Sequence, residues 1–130
     1  MLSVETQLSI YLDNRPGTLA RTCQALSKEQ INIVALSILD TVDHAVIRMV
    51  TSDVRKAVKV LQGLHATVQE REVIFMDLSN KPGMLATIAQ KLAEAGINLE
   101  YAYCTSPSSD QDGKLVLRTN DIEATIDVLS

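Results

Sequence analysis

The sequence predicts an α+β protein built from two βαββαβ units in tandem, with the second unit lacking its last strand. Three observations support this prediction. The chain repeats itself, each repeat alternates strand-type and helix-type hydrophobic periods, and the apolar residues are mainly aliphatic. The 130 residues suffice for two small domains. We therefore expect one unit at residues 1–70 and the other at residues 71–130.

The repeat is visible when the sequence is shifted by 66 residues. Asn14–Ala20 then falls on Asn80–Ala86, and Asn32 falls on Asn98. Further along, the offset becomes 68 residues, because the second copy has two more residues in the polar stretch Thr105–Asp112. Repetition at a fixed period indicates that one supersecondary unit is used twice.

Each unit begins with a strand followed by an amphipathic helix. Polar and apolar residues alternate over residues 7–12, which predicts a strand with one buried face, and Ile74, Met76 and Leu78 are its counterpart in the second unit. Pro16 is expected at the first helical position, where its missing N–H costs nothing. The helix then shows apolar residues three or four apart. This stripe consists of Leu19, Cys23 and Leu26 in the first unit and of Leu85, Ala89 and Leu92 in the second.

The first helix of the second unit is expected to end at Gly96, in the left-handed conformation that glycine accepts. Gln30 occupies this place in the first unit. A residue other than glycine costs about 1 kcal/mol in that conformation, so we expect a less regular helix end there.

Two more strands and a second helix complete the pattern of each unit. The second helices have apolar residues at helical spacing from Val54 and from Ile122. Their side-chain caps are Ser52 or Asp53 in the first unit and Asn120 or Asp121 in the second. The strands are predicted at residues 33–39 and 45–51, and at residues 99–105 and 113–119.

The last strand differs between the two units. In the first unit it must be short, around Ala66–Gln69, and run almost directly into Glu72–Leu78. In the second unit it is missing, because the sequence ends at Ser130. Three explanations remain open: the chain is truncated, another segment fills the position, or another chain does so. An open sheet edge favours such pairing.

One strand is apolar on both faces, which predicts that both faces are covered. It spans Ile33–Ile38. In a βαββαβ unit the helices cover only one sheet face. The other repeat or a second chain is then expected to cover the second face, and we expect a homodimer.

Composition excludes several classes of function. The net charge is −4, without the basic stripe that nucleic-acid binding needs. No apolar run reaches the length of about 20 residues that spans a membrane, and the first residues do not resemble a secretory signal. Two cysteines do not form a disulfide framework. We expect a cytoplasmic protein that contacts neither nucleic acid nor membrane.

Catalysis and metal binding find no support in the motifs. The sequence has no nucleophile at recognisable spacing from a base, no phosphate-binding glycine loop and no pair of catalytic carboxylates. His44 and His65 lack neighbours at metal-ligand spacing. We expect a protein that is not an enzyme and holds no metal or cofactor.

A strand ending in Asn-Arg/Lys-Pro-Gly-x-Leu-Ala, then a helix, then Ile-Asn-Ile/Leu opening a second strand, resembles the ACT domain. The resemblance extends over nearly the whole chain, twice. It implies a ferredoxin-like fold and a regulatory module that binds amino acids and passes the signal to enzymes or transcription regulators.

The resemblance also implies the ligand-binding residues. The strand–helix loop holds the polar groups of the ligand, and the strand-opening asparagine contributes from the neighbouring domain. A helix start offers N–H groups that suit a carboxylate, and an asparagine offers both a donor and an acceptor to a zwitterion. The implied residues are Asn14, Pro16, Gly17 and Thr18 with Asn98, and Asn80, Pro82, Gly83 and Met84 with Asn32.

One departure from the family leaves the ligand open. The serine-binding form of the loop has a histidine two positions before the asparagine, where this chain has Leu12 and Leu78. Plainer interpretations also stand: the loops start helices and nothing more, and Asn32 and Asn98 cap turns through their side chains.

Two functions follow from the sequence. The first is a regulatory protein that binds a free amino acid or similar small metabolite and alters the activity of a metabolic enzyme or regulator. The alternative is a subunit that binds no ligand and serves to dimerise with, or regulate, a metabolic enzyme.

Overall fold

The computed structural model describes residues 2–13, 15–40, 44–78, 82–105 and 113–130. Within these ranges the chain forms six strands and four helices, which confirms the predicted α+β class. No helix in the described ranges is long and apolar enough to cross a membrane. The elements are β1 Leu2–Asp13, α1 Thr18–Lys28, β2 Ile33–Asp40, β3 His44–Thr51, α2 Val54–Gly63, β4 Thr67–Leu78, α3 Met84–Glu94, β5 Leu99–Cys104, β6 Gly113–Thr119 and α4 Ile122–Leu129.

The chain divides into two compact units. The first unit is Thr6–Arg71, and the second combines Met1–Glu5 with Glu72–Ser130. The sequence-based division at residues 1–70 and 71–130 groups the first five residues with the first repeat, whereas their contacts place them in the second unit.

The start of the chain supplies the strand that the second unit lacks. The strand order is β2-β3-β1-β4 in the first unit and β5-β6-β4-β1 in the second. Strand β1 contributes Thr6–Asp13 to the first unit and Leu2–Glu5 to the second. Of the three explanations for the missing strand, the structure therefore shows the one in which another segment fills the position.

Strand β4 is one continuous strand from Thr67 to Leu78. The sequence predicted two separate strands here. The intervening residues are Glu70 and Arg71, and neither is a glycine, proline, asparagine or aspartate of the kind that favours turns. Nothing in the local sequence therefore breaks the strand.

The antiparallel registers repeat from one unit to the other. Strand β3 pairs with β1 and β2, and β6 pairs with β4 and β5. The register shifts between Ile33 and Ala35 in the first unit and between Leu99 and Tyr101 in the second. Such a β-bulge at the same position in both copies indicates a feature of the module rather than a local defect.

Each unit has its own core between its sheet and its two helices. In the first unit the buried cluster consists of Leu8, Ile10, Leu26, Ile31, Ile47, Met49, Ala57 and Leu61. In the second unit it consists of Ile74, Ile88, Leu92, Ile97, Leu115 and Leu117, against which Leu2 packs. The aliphatic composition of both clusters agrees with the scarcity of aromatic residues.

The predicted apolar stripe of the first helices is wrong at its first position in both units, and also at its second position in the second unit, where Ala89 is exposed. Leu19 is 37% exposed and Leu85 is 52% exposed. The buried residue of the first turns is instead Thr22 in α1 and Ile88 in α3. Thr22 can be buried because its hydroxyl donates to the Thr18 carbonyl at 2.9 Å.

The prediction that β1 has one buried face is also wrong. Gln7 and Ser9 are buried along with Leu8 and Ile10. The Gln7 side-chain amide donates to the Ser9 hydroxyl at 3.2 Å, which partly offsets the desolvation of these polar groups. Strand β1 is therefore a two-sided central strand with a polar pair on one face.

The two first helices end in the same way despite different residues. Ile97 N–H donates to the Leu92 carbonyl at 2.9 Å, and Ile31 N–H donates to the Leu26 carbonyl at 3.0 Å. Gly96 has φ +70° and Gln30 has φ +57°. The expectation of a less regular end at Gln30 is therefore wrong, and the residue accepts the left-handed conformation at an energetic cost.

A buried hydroxyl distinguishes the two units. In the second unit the Thr119 and Thr125 hydroxyls lie 2.7 Å apart, and Thr125 donates to the Asp121 carbonyl. In the first unit Ala57 replaces Thr125, and the buried hydroxyl of Thr51 has no hydrogen-bond partner among the described residues. An unpartnered buried polar group is destabilising.

We expect substitution by valine to have different effects on the free energy of unfolding at Thr51 and at Thr119. Thr51→Val removes an unpartnered hydroxyl and should leave the free energy of unfolding unchanged or raise it by about 1 kcal/mol. Thr119→Val breaks a hydrogen-bonded cluster and should lower it by about 1 kcal/mol. Urea unfolding of the two variants checks this prediction, and equal losses in both would contradict it.

Candidate functional site

The predicted loops form two matching turns at the starts of α1 and α3. Gly17 and Gly83 are the N-cap residues, with φ +86° and +84°. This left-handed conformation favours glycine. Pro16 lies before the cap, so its predicted place at the first helical position is wrong. The helix cannot start at Pro16, because the left-handed turn at Gly17 comes after it.

The first helix of each unit lacks the side-chain cap that the second helix has. Asp53 accepts from Lys56 N–H at 3.1 Å at the start of α2, and Asp121 accepts from Ala124 N–H at 3.0 Å at the start of α4. The N-cap residues of α1 and α3 are glycines, and no side chain of the described residues caps either helix. Thr18 N–H donates to the Arg15 carbonyl at 3.3 Å, and the N–H groups that follow it in the first turn can bind an anionic group such as a carboxylate.

Space is open beside both glycines. A Cβ atom built on Gly17 or on Gly83 would meet no atom of the described residues within 4 Å. Glycine is therefore required by the backbone conformation and not by crowding. Each loop presents its backbone to a space that a small ligand can enter.

A groove adjoins the first loop. It has a volume of about 180 Å³ and is lined by Leu12, Arg15, Thr18, Leu19, Ile38 and Ile47, among others. The groove therefore has apolar walls and a polar end at Arg15 and Thr18.

An ion pair stands at the mouth of this groove. The Arg15 guanidinium donates to the Asp13 carboxylate at 2.6 Å, and both side chains are exposed. The hydrogen bond and the charge of Arg15 lower the pKa of Asp13, and Asp13 raises the pKa of Arg15. The carboxylate of Asp13 thus stays ionised to lower pH than an ordinary aspartate.

The structure brings only part of the predicted site together. Pro16, Gly17 and Thr18 are adjacent at the start of α1, as are Pro82, Gly83 and Met84 at the start of α3. Asn14 and Asn80 lie outside the described residues. Among the described residues, no cluster of three or more histidine, cysteine, aspartate or glutamate side chains is placed to hold a metal ion.

Asn32 and Asn98 lie beyond the opposite end of the first helix from the loop of their own unit. Helix α1 has 11 residues, so it separates Gly17 from Asn32 by about 16 Å. Their backbone N–H groups donate to the Ser52 hydroxyl and the Asn120 side-chain oxygen, at 2.9 and 3.0 Å.

The plainer interpretation of Asn32 and Asn98 as side-chain turn caps receives no support. Both residues are exposed. Neither side chain makes a hydrogen bond to the described part of the chain, and the bonds at these positions are made by the backbone. Their role toward a ligand stays a prediction.

Sequence reasoning missed Leu19 and Leu85 as surface residues next to the loops. Both follow the first helical residue and are exposed. The signal for them is present in the repeat, because leucine is kept at this position in both copies. An exposed leucine beside an uncapped helix start supplies an apolar contact next to a polar one.

A family model described as an ACT domain pair matches residues 3–130. This match extends over both units, including Val4 and Glu5 of the strand that completes the second sheet. None of the curated proteins matches the chain.

Solved structures with this fold include a protein from Bacteroides thetaiotaomicron. It is 34% identical, with a TM-score of 0.90 over 98% of this chain and 88% of that one. The regulatory subunit of aspartate kinase from Thermus thermophilus is 15% identical, with a TM-score of 0.72 over 99% and 95% of the two chains. The corresponding subunit from Thermus flavus is 17% identical, with a TM-score of 0.66 over 99% and 93%.

Proposed function

The chain belongs to the family of ACT domain pairs, and from this membership we propose that it is a regulatory protein that binds a free amino acid or a similar small metabolite. The ligand's carboxylate accepts hydrogen bonds from the first-turn N–H groups of α1 or α3. Binding favours one conformation of the protein, which a partner recognises. The chain itself performs no catalysis in this proposal.

One observation carries the proposal: in each unit no described side chain caps the helix after the Pro-Gly loop, while the other helix is capped by an aspartate. Capping residues stabilise a helix by about 1 kcal/mol. Their absence at both corresponding positions, with open space beside Gly17 and Gly83, supports a ligand that supplies the missing acceptor.

The partner is proposed to be a metabolic enzyme. Two of the solved structures with the same fold are regulatory subunits of aspartate kinases, which supports an ACT pair acting on an enzyme from a separate chain. A homodimer, a cytoplasmic location and the participation of Asn32 and Asn98 from a neighbouring domain stay predictions.

A thermal-shift screen of the free amino acids tests the proposal. A ligand at about 100 times its dissociation constant stabilises the folded state by about 2.7 kcal/mol. We expect at least one amino acid to raise the melting temperature accordingly. The double variant Gly17→Asn, Gly83→Asn should lose this shift, because asparagine tolerates the left-handed conformation and its side chain fills the open space.

The matched control is Gly96→Asn. Gly96 has φ +70° and open space around it, as the loop glycines have, but it lies at the end of α3. This variant should therefore keep the ligand-induced shift. A flat screen, or a shift that survives the double variant, would contradict binding at the loops.

One observation favours the alternative function, a subunit that associates without a ligand. Strand β2 is an edge strand, and Val34, Leu36, Ile38 and Leu39 are 39–49% exposed. An exposed apolar edge strand is typical of a surface that pairs with another chain. A flat screen together with a stable oligomer in sedimentation would support this alternative.

A further inference from the structure

A second concavity also adjoins the first turn of α1. Its volume is about 500 Å³, within the range of small-molecule sites. It shares Leu12, Asp13, Arg15 and Thr18 with the groove described above, and it extends toward the end of α2 instead of toward β2. All of its lining residues belong to the first unit. We call this concavity the basic pocket.

The basic pocket is lined by more cationic and imidazole groups than acidic ones. Its ionisable lining residues are Asp13, Arg15, Arg21, His44, His65 and the phenol of Tyr11. Asp13 is already paired with Arg15 at 2.6 Å. Arg21 makes no ion pair with any described residue. The guanidinium of Arg21 therefore gives this concave surface a local positive charge, although the net charge of the chain is −4.

His65 holds a conformation that favours glycine. Its φ is +59°, and its N–H donates to the Gln62 carbonyl at 3.0 Å. Ala66 N–H then donates to the Leu61 carbonyl at 3.2 Å, which closes the end of α2 in the manner usually completed by glycine. A histidine at such a position is strained, and strain of this kind is often found at functional sites. Here the strained residue lines the basic pocket.

The second repeat does not carry the same chemistry. The residues at the positions of Tyr11, Thr18 and Arg21 are Asp77, Met84 and Thr87. An acidic, an apolar and a neutral side chain thus stand where the first unit has a phenol, a hydroxyl and a guanidinium. The basic pocket is therefore not a general property of the module.

We propose that the basic pocket binds a small anion through its carboxylate or phosphate group. Arg21 is the principal contact, since its guanidinium is not engaged by a carboxylate of the described chain and its planar fork matches both kinds of anion. Arg15, His44 and His65 surround the same space and add donors to the anion. Arg15 and Thr18 of the first loop also line the pocket. The proposal still does not depend on amino-acid binding at the Pro-Gly loops, because its principal contact Arg21, and also His65, lie outside them.

Isothermal titration calorimetry of the full chain at constant ionic strength tests the proposal, with inorganic phosphate and succinate as probes and succinamide as the uncharged control. We expect one saturable site per chain for at least one of the anions. Binding of phosphate alone identifies a phosphoryl ligand and binding of succinate alone a carboxylate ligand, and either result supports the proposal. Absence of binding by both anions at millimolar concentrations would overturn it.

Two pairs of variants locate the site. Arg21→Thr introduces the residue of the second repeat and should weaken anion binding by about tenfold or more, whereas Arg21→Lys should weaken it less. Arg55→Thr makes the same charge change on the same unit outside the basic pocket and should keep the affinity. Equal weakening by Arg21→Thr and Arg55→Thr would show a general charge effect and overturn the proposal.

The second pair uses the two strained residues. His65→Gly relieves the left-handed strain and removes the imidazole, so it should weaken binding without lowering thermal stability. Gln30→Gly relieves the same strain away from the pocket and should leave binding unchanged. If His65→Gly binds the anion as well as the unaltered chain does, His65 does not contact the anion.

Amino-acid stabilisation in the thermal-shift screen should persist in Arg21→Thr. The basic-pocket proposal and the loop proposal can therefore fail independently of each other.

Discussion

Deletion of residues 2–5 is expected to unfold the second unit. These residues form the last strand of its sheet, beside β4. The deletion removes Leu2 from the second core, which costs about 2 kcal/mol, and it removes ladder hydrogen bonds at about 1 kcal/mol each. The sum approaches the whole stability of a small domain, about 5 kcal/mol.

Hydrogen exchange followed residue by residue measures this effect. Amides of β5 and β6 should lose protection, while those of β2 and β3, which lie in the first unit, should keep it. Point variants provide the matched control: Leu2→Ala should destabilise the second unit, and Val4→Ala, at a residue that is 46% exposed, should be nearly neutral. Unchanged protection in β6 after the deletion would contradict the assignment of this strand.

Moving the deleted strand to the other end of the chain is expected to restore the second unit. Residues 2–5 placed after Ser130 through a flexible linker would follow α4, which gives that unit the conventional βαββαβ order. Protection of β5 and β6 should then return. This rescue separates the loss of a strand from a general effect of shortening the chain.

Leu92→Ala should lower the free energy of unfolding by about 2–5 kcal/mol, because it creates a cavity in the second core. Leu92 is 1% exposed and packs with Ile88. Leu85→Ala, on the same helix and in the same predicted stripe, should cost less than about 0.5 kcal/mol, since Leu85 is 52% exposed. The first unit offers the same comparison with Leu26→Ala and Leu19→Ala.

Guanidinium unfolding of the four alanine variants separates the observed helix orientation from the one that the leucine spacing predicted. Similar losses for Leu85→Ala and Leu92→Ala would show that the stripe predicted from the sequence is the buried one. A large loss at Leu92 and Leu26 alone is the result expected from the structure.

Elements with a strong local signal could be predicted from the sequence. The helix periods from Val54 and Ile122 and the paired caps placed α2 and α4, and Asp53 and Asp121 proved to be the capping residues. The duplication helped most, because a pattern that is weak in one copy becomes significant when it recurs at the same offset.

The predictions that were wrong concern strand pairings between residues distant in sequence, or side chains such as threonine that can be either buried or exposed. The partner of Leu2–Glu5 is β4, some 70 residues away, and four residues show no period that reveals such a pairing. Thr22 is a polar residue, but it is buried, and its hydroxyl donates to the Thr18 carbonyl in the preceding turn. The sequence therefore predicts Leu19 as the core residue in place of Thr22.

For the candidate site, the sequence identifies the two glycine loops but not the side chains that surround them. The sequence predicts a backbone corner at Gly17 and Gly83, and the structure gives both residues a left-handed conformation. Ligand binding at this corner stays a prediction. Arg21 and His65 could not be grouped from the sequence, because only the fold brings the end of α2 next to the start of α1.

The most direct measurement of ligand binding is a ¹H–¹⁵N correlation spectrum of the chain titrated with the amino acid that gives the largest thermal shift. Our account predicts that the first and largest changes occur at the amides of Leu19 and Ala20 in α1, or of Leu85 and Ala86 in α3. Changes centred elsewhere in the chain, with these four amides unmoved at saturation, would contradict the claim that the uncapped helix starts bind the ligand.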